Sequence, residues 1–153
     1  MDKELIQELY QSLILDHSRN PRNYGSLTCS HCLFSKGKNP SCGDELTLFL
    51  SLNNDDMVED IKFEGQGCAL FMSSTSLLTQ AVKDKSVTEV KKLLGQFLNF
   101  ILHEKNLDDE YEPLHIYSTV NSFPLRVKCV LLPWRTLENI LEKRSNIANT
   151  EEE

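Results

Sequence analysis

The chain has 153 residues, 40% hydrophobic and 25% charged, with a formal net charge of -7 and a pI near 5.1. That length suits one domain, expected over 1–145 with a polar, fraying end over 146–153, and the composition excludes disorder and fibre. The acidic balance argues against a general nucleic-acid binder, no apolar run reaches the roughly 20 residues that cross a bilayer, and Met1-Asp2-Lys3-Glu4 lacks a secretion signal's layout, so a cytoplasmic protein is expected.

Leu5, Ile6, Leu9, Leu13 and Ile14 recur at helical spacing, which predicts a helix over 2–17 ending in His17-Ser18-Arg19, basic residues that suit the dipole there. Asn20-Pro21-Arg22-Asn23-Tyr24-Gly25 then reads as a plain helix stop, with Arg22 a possible contact for a partner. Ser26 to Phe34 has weak β character and carries Cys29-Ser30-His31-Cys32. One such pair is half a zinc site, and in an extended segment its two thiols point to opposite faces, so a structural role is expected. Five cysteines without an export signal read as reduced thiols, free for metal or sulfur chemistry, rather than as a disulfide framework.

Asn39-Pro40-Ser41-Cys42-Gly43-Asp44 sets a thiol and a carboxylate two residues apart on a turn that Gly43 allows to be sharp. Glu45 to Leu52 and Met57 to Glu64 then predict two strands joined through Asn53-Asn54-Asp55-Asp56, giving two or three antiparallel strands in all. Gly65-Gln66-Gly67 hands over to a buried helix from Cys68 to Val82. Its Ser/Thr run reads as close helix packing, and Cys68 falls at its N-terminus, where free N–H groups favour a thiolate.

Ser86-Val87-Thr88-Glu89 is a capping box that opens a helix running to about His103, with Val90, Leu93, Leu94, Phe97, Leu98 and Ile101 as its apolar stripe. Lys105 to Glu112 reads as an exposed loop, Pro113 to Val120 as a short helical turn, and His103 and His115 as surface or hydrogen-bonded histidines rather than ligands. Arg126 and Lys128 bracket the approach to Cys129, and cations beside a thiol favour its ionised form. Leu132, Trp134, Leu137, Ile140 and Leu141 predict a last amphipathic helix with Pro133 at its first position, which places Cys129 before or at its start.

Three cysteines in marked settings, Cys42, Cys68 and Cys129, together with Asp44, supply the ligands of a tetrahedral zinc site or of an iron–sulfur cluster, both of which prefer thiolate. No Ser/His/Asp arrangement suggests a nucleophilic triad.

With these settings in view the chain resembles the IscU/NifU family of iron–sulfur cluster assembly proteins, and its SufU branch more closely. The resemblance runs through Leu15-Asp16-His17 with Asn20-Pro21-Arg22-Asn23, then Asn39 to Asp44, Phe63 to Cys68 with Leu78-Thr79-Gln80-Ala81-Val82, and Phe123-Pro124-Leu125-Arg126-Val127-Lys128-Cys129. It implies an α+β fold, a small antiparallel sheet of about three strands packed against four to six helices with the three cysteines meeting at one end. It also implies a pyridoxal-phosphate cysteine desulfurase of the SufS type as partner, and an acceptor of sulfur or cluster downstream. In SufU-like members zinc is held at the positions of Cys42, Asp44, Cys68 and Cys129, and Cys42 takes the persulfide sulfur as a relay rather than a stand-alone catalyst. In IscU-like scaffolds the same set holds iron or a transient [2Fe-2S] cluster, and the Cys129 position is the acceptor. Lys128, where scaffolds carry histidine, and Phe123 to Lys128, in place of the scaffolds' Leu-Pro-Pro-Val-Lys motif, favour SufU. Cys29 and Cys32 lie outside the family pattern.

Overall fold

The computed structural model describes residues 3–152, with side chains described as far as residue 144 apart from those of Lys3 and Ile6. The polar end expected over 146–153 therefore falls on side chains outside the described residues. Helix α1 (Lys3–Arg19) leads into an antiparallel sheet of β1 (Leu33–Asn39), β2 (Asp44–Leu52) and β3 (Val58–Gln66), with β2 in the middle. Helices α2 (Ala69–Val82) and α3 (Val87–His103), two 3-10 segments (Asp109–Tyr117 and Val120–Ser122) and α4 (Pro124–Glu152) follow. This is the α+β arrangement expected, a three-stranded sheet packed against helices.

Alternation builds the sheet: Leu46, Leu48 and Leu50 of β2 are buried, and β3 answers with Val58, Ile61 and Phe63. Leu50 faces Ile61 while Leu52 faces Val58, so β3 carries one extra residue, and this bulge is why Val58 and Ile61 are spaced by three while Ile61 and Phe63 keep the usual two. The first strand lies later than expected, at Leu33–Asn39 rather than within Ser26 to Phe34. Its inward positions are Leu33, Ser35, Gly37 and Asn39, and the last three are too polar or small to read as a hydrophobic face. Gly37 is bare for a reason. A Cβ there would strike Thr136 Oγ1 and crowd Leu132 at 3.1 Å, so the glycine lets α4 lie against the strand.

Segment 20–25 does more than stop a helix. Asn23, at φ 59, and Gly25 exchange backbone hydrogen bonds with Phe63 at 3.1 and 2.8 Å, and the Tyr24 ring packs edge-on against Phe63, so the segment covers the free edge of β3. Arg22 pairs with Asp16 at 2.7 Å.

The hydroxyls of α2 are buried, and all but that of Thr75 reach a neighbouring part of the chain. Ser73 meets Tyr117 Oη at 2.6 Å; Ser74 donates to the Val130 carbonyl at 2.6 Å and accepts from Trp134 Nε1 at 3.0 Å. Ser76 accepts from Arg22 N–H and lies 2.7 Å from His17 Nδ1, while Thr79 accepts from Asn23 Nδ2. Close helix packing was the expectation, and these bonds are what make it possible to bury so polar a helix. The capping box forms as expected: Glu89 N–H donates to Ser86 Oγ and Ser86 N–H to Glu89 Oε1.

Four expectations are corrected. Pro124, not Pro133, takes the first position of α4, because the 3-10 turn and the non-helical Phe123 (φ -127, ψ 85) deliver the chain there. Cys129 is thus inside the helix and Pro133 further along it, where it has no N–H to offer the Cys129 carbonyl; the Ser74 hydroxyl serves the next carbonyl, that of Val130. Within Lys105 to Glu112 the charged side chains are exposed, but Leu107 and Tyr111 are buried and anchor the stretch. Half-buried His115 stacks on Phe100 with ring centroids 5.6 Å apart, and its buried Nε2 has no hydrogen-bond partner among the described residues. Finally, Cys29 and Cys32 form a disulfide: the segment is a turn closed by Cys32 N–H to Cys29 O at 3.2 Å, which brings together thiols that an extended chain would separate. Cys42, Cys68 and Cys129 remain free.

Burial, and next the Arg22 charge, push the His17 imidazole below its ordinary value of 6.5, with Asp16 opposing. The unfolded chain then takes up the proton first, so the stability contributed by neutral His17 is present above about pH 6.5 and is lost as pH falls toward the folded value. Chemical unfolding of His17→Gln is expected to show a smaller drop in midpoint than the wild type between about pH 7.5 and about pH 5.5. Ser74→Ala strands the Trp134 indole N–H in the core, and urea unfolding should register a loss of about 1–3 kcal/mol.

Candidate metal centre

The β1–β2 hairpin sets the first part of the site. Asn39 ends β1 opposite Asp44, which opens β2, and the loop between them turns through Cys42 N–H to Asn39 O at 3.2 Å and Gly43 at φ 72. Residues directly opposite in a ladder share a face, so Asn39 and Asp44 both project inward, where they are 7% and 2% exposed. Cys42 rides on the loop, half-buried.

Helix α2 supplies the second part. Cys68 is its N-cap residue, extended at φ -68 and ψ 167, and its backbone N–H donates to Asp44 Oδ1 at 2.9 Å. One N–H at the head of the helix is thereby taken by the carboxylate. Gly67 makes the approach possible, since a Cβ there would strike Asp44 Oδ1 and lie 2.6 Å from the Phe71 ring.

Helix α4 supplies the third. Cys129 is fully buried and its Sγ lies 3.5 Å from the Leu125 carbonyl, one turn back. One ligand atom each from Cys42, Asp44 and Cys129 lies within 4.8 Å of the others. Cys68 stands outside that triad but borders it, its thiol acting on Cys129. Burial above all, then hydrogen bonding with Cys42, Asp44 and Cys68, pushes the Cys129 thiol well up. That outcome reverses the expectation that Arg126 and Lys128 would ionise it: both are exposed, and neither is among the groups that shift it. Being near in sequence did not place their charges near the sulfur.

The donor set fits a soft cation. Ligand atoms about 2.3 Å from a tetrahedral ion stand about 3.8 Å apart, within the span seen here. Two thiols and a carboxylate crowd one largely buried spot, and among the described residues no cationic side chain pairs with any of them. A bound cation would balance those charges and pull the thiol protons off. Zinc and iron both suit such ligands.

Sequence reasoning named Cys42, Asp44, Cys68 and Cys129, and missed Asn39 as a second neighbour of Asp44 (Nδ2 to Oδ2, 3.3 Å) and of Cys129 (Nδ2 to Sγ, 3.7 Å). The signal was there in the hairpin register, which sets residues 39 and 44 opposite each other.

The chain is similar to proteins of one family. The family model of the NifU-like N terminal domain matches residues 9–104. The zinc-dependent sulfurtransferase SufU of Bacillus subtilis is 37% identical over 140 residues, spanning 90% of this chain and 92% of that protein. The iron-sulfur cluster assembly scaffold protein IscU of Thermotoga maritima is 34% identical, spanning 92% and 98%. The crystal structure of FiSufU from Fervidobacterium islandicum AW-1 superposes with a TM-score of 0.79 at 35% identity, covering 92% of this chain and 99% of that one. Matched in sequence over most of its length, and in fold by a relative more than 30% identical, the chain belongs to the IscU/SufU/NifU family.

Proposed function

We propose that this protein serves iron–sulfur cluster assembly as a scaffold, with Cys42, Asp44, Cys68 and Cys129 receiving iron and sulfide and passing the product to an acceptor protein. The observation that carries this is the convergence of two thiols and a carboxylate from the hairpin and α4 within 4.8 Å, bordered by the thiol at the head of α2. Scaffold is also the word in the names of relatives from Thermotoga maritima, Streptococcus pyogenes and Rickettsia prowazekii. Thiolates bind the iron; the buried setting limits water; and Asp44, a harder oxygen ligand, makes the set less tight than all-sulfur ligation and so eases release. Sulfur would come from a pyridoxal-phosphate cysteine desulfurase, and Arg126 and Lys128, exposed on the helix that carries Cys129, suit contact with such a partner.

A second reading has its own support. The Bacillus subtilis relative is a zinc-dependent sulfurtransferase, and Lys128 stands before Cys129 where scaffolds carry histidine. Here the same residues would hold zinc, and Cys42, half-buried on a turn, would take sulfur. Its thiolate attacks the outer sulfur of the desulfurase persulfide; a new S–S bond forms on Cys42 as the desulfurase thiolate leaves, with no net oxidation.

Anaerobic reconstitution with ferrous iron and sulfide separates the two. The scaffold reading expects a stable visible absorption spectrum of a [2Fe-2S] centre that moves to an apo-acceptor; near one zinc per purified chain, no stable cluster and a large rise in desulfurase turnover would establish the sulfur relay instead. In either case Cys42→Ala should retain the far-UV circular dichroism of the wild type and lose most of its activity. Gly67→Ala, which forces Asp44 or Phe71 to move, is expected to weaken metal retention in a chelator competition while leaving the helical signal in place.

A further inference from the structure

We propose that Asn39 is a positioning residue for the metal ligands, its one side-chain amide holding both Asp44 and Cys129 in ligating orientation. The inference rests on the reading of this site as a metal centre and adds a residue that is not itself a ligand.

Asn39 is 7% exposed, and its Nδ2 lies 3.3 Å from Asp44 Oδ2 and 3.7 Å from Cys129 Sγ. An amide nitrogen carries two hydrogens, one for each neighbour. The assignment of nitrogen rather than oxygen to this side follows from chemistry: the Asp44 carboxylate only accepts, so a carbonyl turned toward it would meet a like partial charge, and a metal-bound Cys129 thiolate would likewise only accept. The other Asp44 oxygen takes the Cys68 N–H at 2.9 Å. Each carboxylate oxygen is therefore oriented by one donor and keeps lone-pair capacity for a cation.

The amide also links parts far apart in the chain. Asn39 and Cys129 are 90 residues apart, one at the end of β1 and the other on α4, so the bond fixes the helix-borne sulfur relative to the hairpin-borne carboxylate. A neutral donor is the suitable choice. Lysine or arginine at 39 would compete with the metal for the same anions, and aspartate would add a third negative charge. Groups that orient metal ligands in this way commonly change metal affinity by about 10–100-fold when removed.

The test uses the full chain and Co2+ as probe. Asn39→Leu keeps the approximate size of the side chain and removes its donors; Asn39→Ala removes them without bulk and serves if the leucine variant does not fold. Competition with a chromophoric chelator should show Co2+ bound about 10–100-fold more weakly than by the wild type. The thiolate-to-cobalt charge-transfer band should move to lower energy, because a sulfur that loses a hydrogen bond gives up charge more readily. A role confined to the fold would lower the urea midpoint and leave the band in place. Equal affinity and an unmoved band in the variants would overturn the proposal while leaving the metal centre standing. A wild-type chain that takes up no Co2+, Zn2+ or Fe2+ would overturn the reading of the site and this proposal with it.

Discussion

A buried carboxylate cannot be left alone, and Asp44 shows how the surroundings of one such group can organise a protein. Its two oxygens accept from a backbone N–H at the head of α2 and from a side-chain amide at the end of β1. Those bonds fix the hairpin to the helix that follows the sheet. They bring Cys42 and Cys68 to the same place, and the extension of the amide to Cys129 brings in α4. Loss of either donor would leave a polar group in the interior without full compensation, at a cost of order 1–3 kcal/mol. The geometry of the candidate centre is thus tied to the stability of the fold.

The same constraint, that buried polar groups need partners, governs α2. A helix carrying Ser73, Ser74, Thr75, Ser76 and Thr79 in its interior would be a poor core element if its hydroxyls faced only hydrocarbon. Instead they reach α1, the segment after it, the longer 3-10 segment and α4, while Thr75 bonds back to the Phe71 carbonyl in its own helix. Small side chains let the helices approach closely, and each bond has a direction that an apolar contact lacks. Helix α2 accordingly sets where α1 and α4 lie, and with them where Cys129 meets the hairpin.

Once assembled, the site is short of positive charge. Two thiols and a carboxylate share a largely buried volume with neutral donors, and burial holds the Cys129 thiol in its protonated form. A soft metal ion changes that balance, since it supplies the missing charge and releases the protons. The arrangement is a poor general nucleophile and a good receptor for a thiophilic cation. This is the physical content of membership in a family whose relatives are named for zinc and for iron–sulfur assembly.

Local chemistry was readable in the sequence. The strand over Glu45 to Leu52, the capping box at Ser86, the apolar stripe of α3 and the Gly43 turn all depend on neighbours within a few residues, and all appear as expected. The local settings of the candidate ligands were legible too: Cys-Gly-Asp marks the turn that carries Cys42 and Asp44, and Gly-Cys marks the helix start at Cys68. Features that depend on distant partners were not. Strand β1 escaped notice because its inward residues after Leu33 are small or polar to suit α4; Pro133 looked like a helix start because the true start depends on the turn before Pro124; and the Cys29–Cys32 pair looked separated until a turn closed it. Charges at Arg126 and Lys128 seemed to serve Cys129, yet helix geometry and burial decide what a sulfur feels. By itself the sequence determined which groups could bind a metal and which short elements would carry them. Only the tertiary structure decided that Asp44 would be clamped between Asn39 and Cys68 with Cys129 alongside, because those bonds cross as many as 90 residues and exist only when the sheet, α2 and α4 pack together.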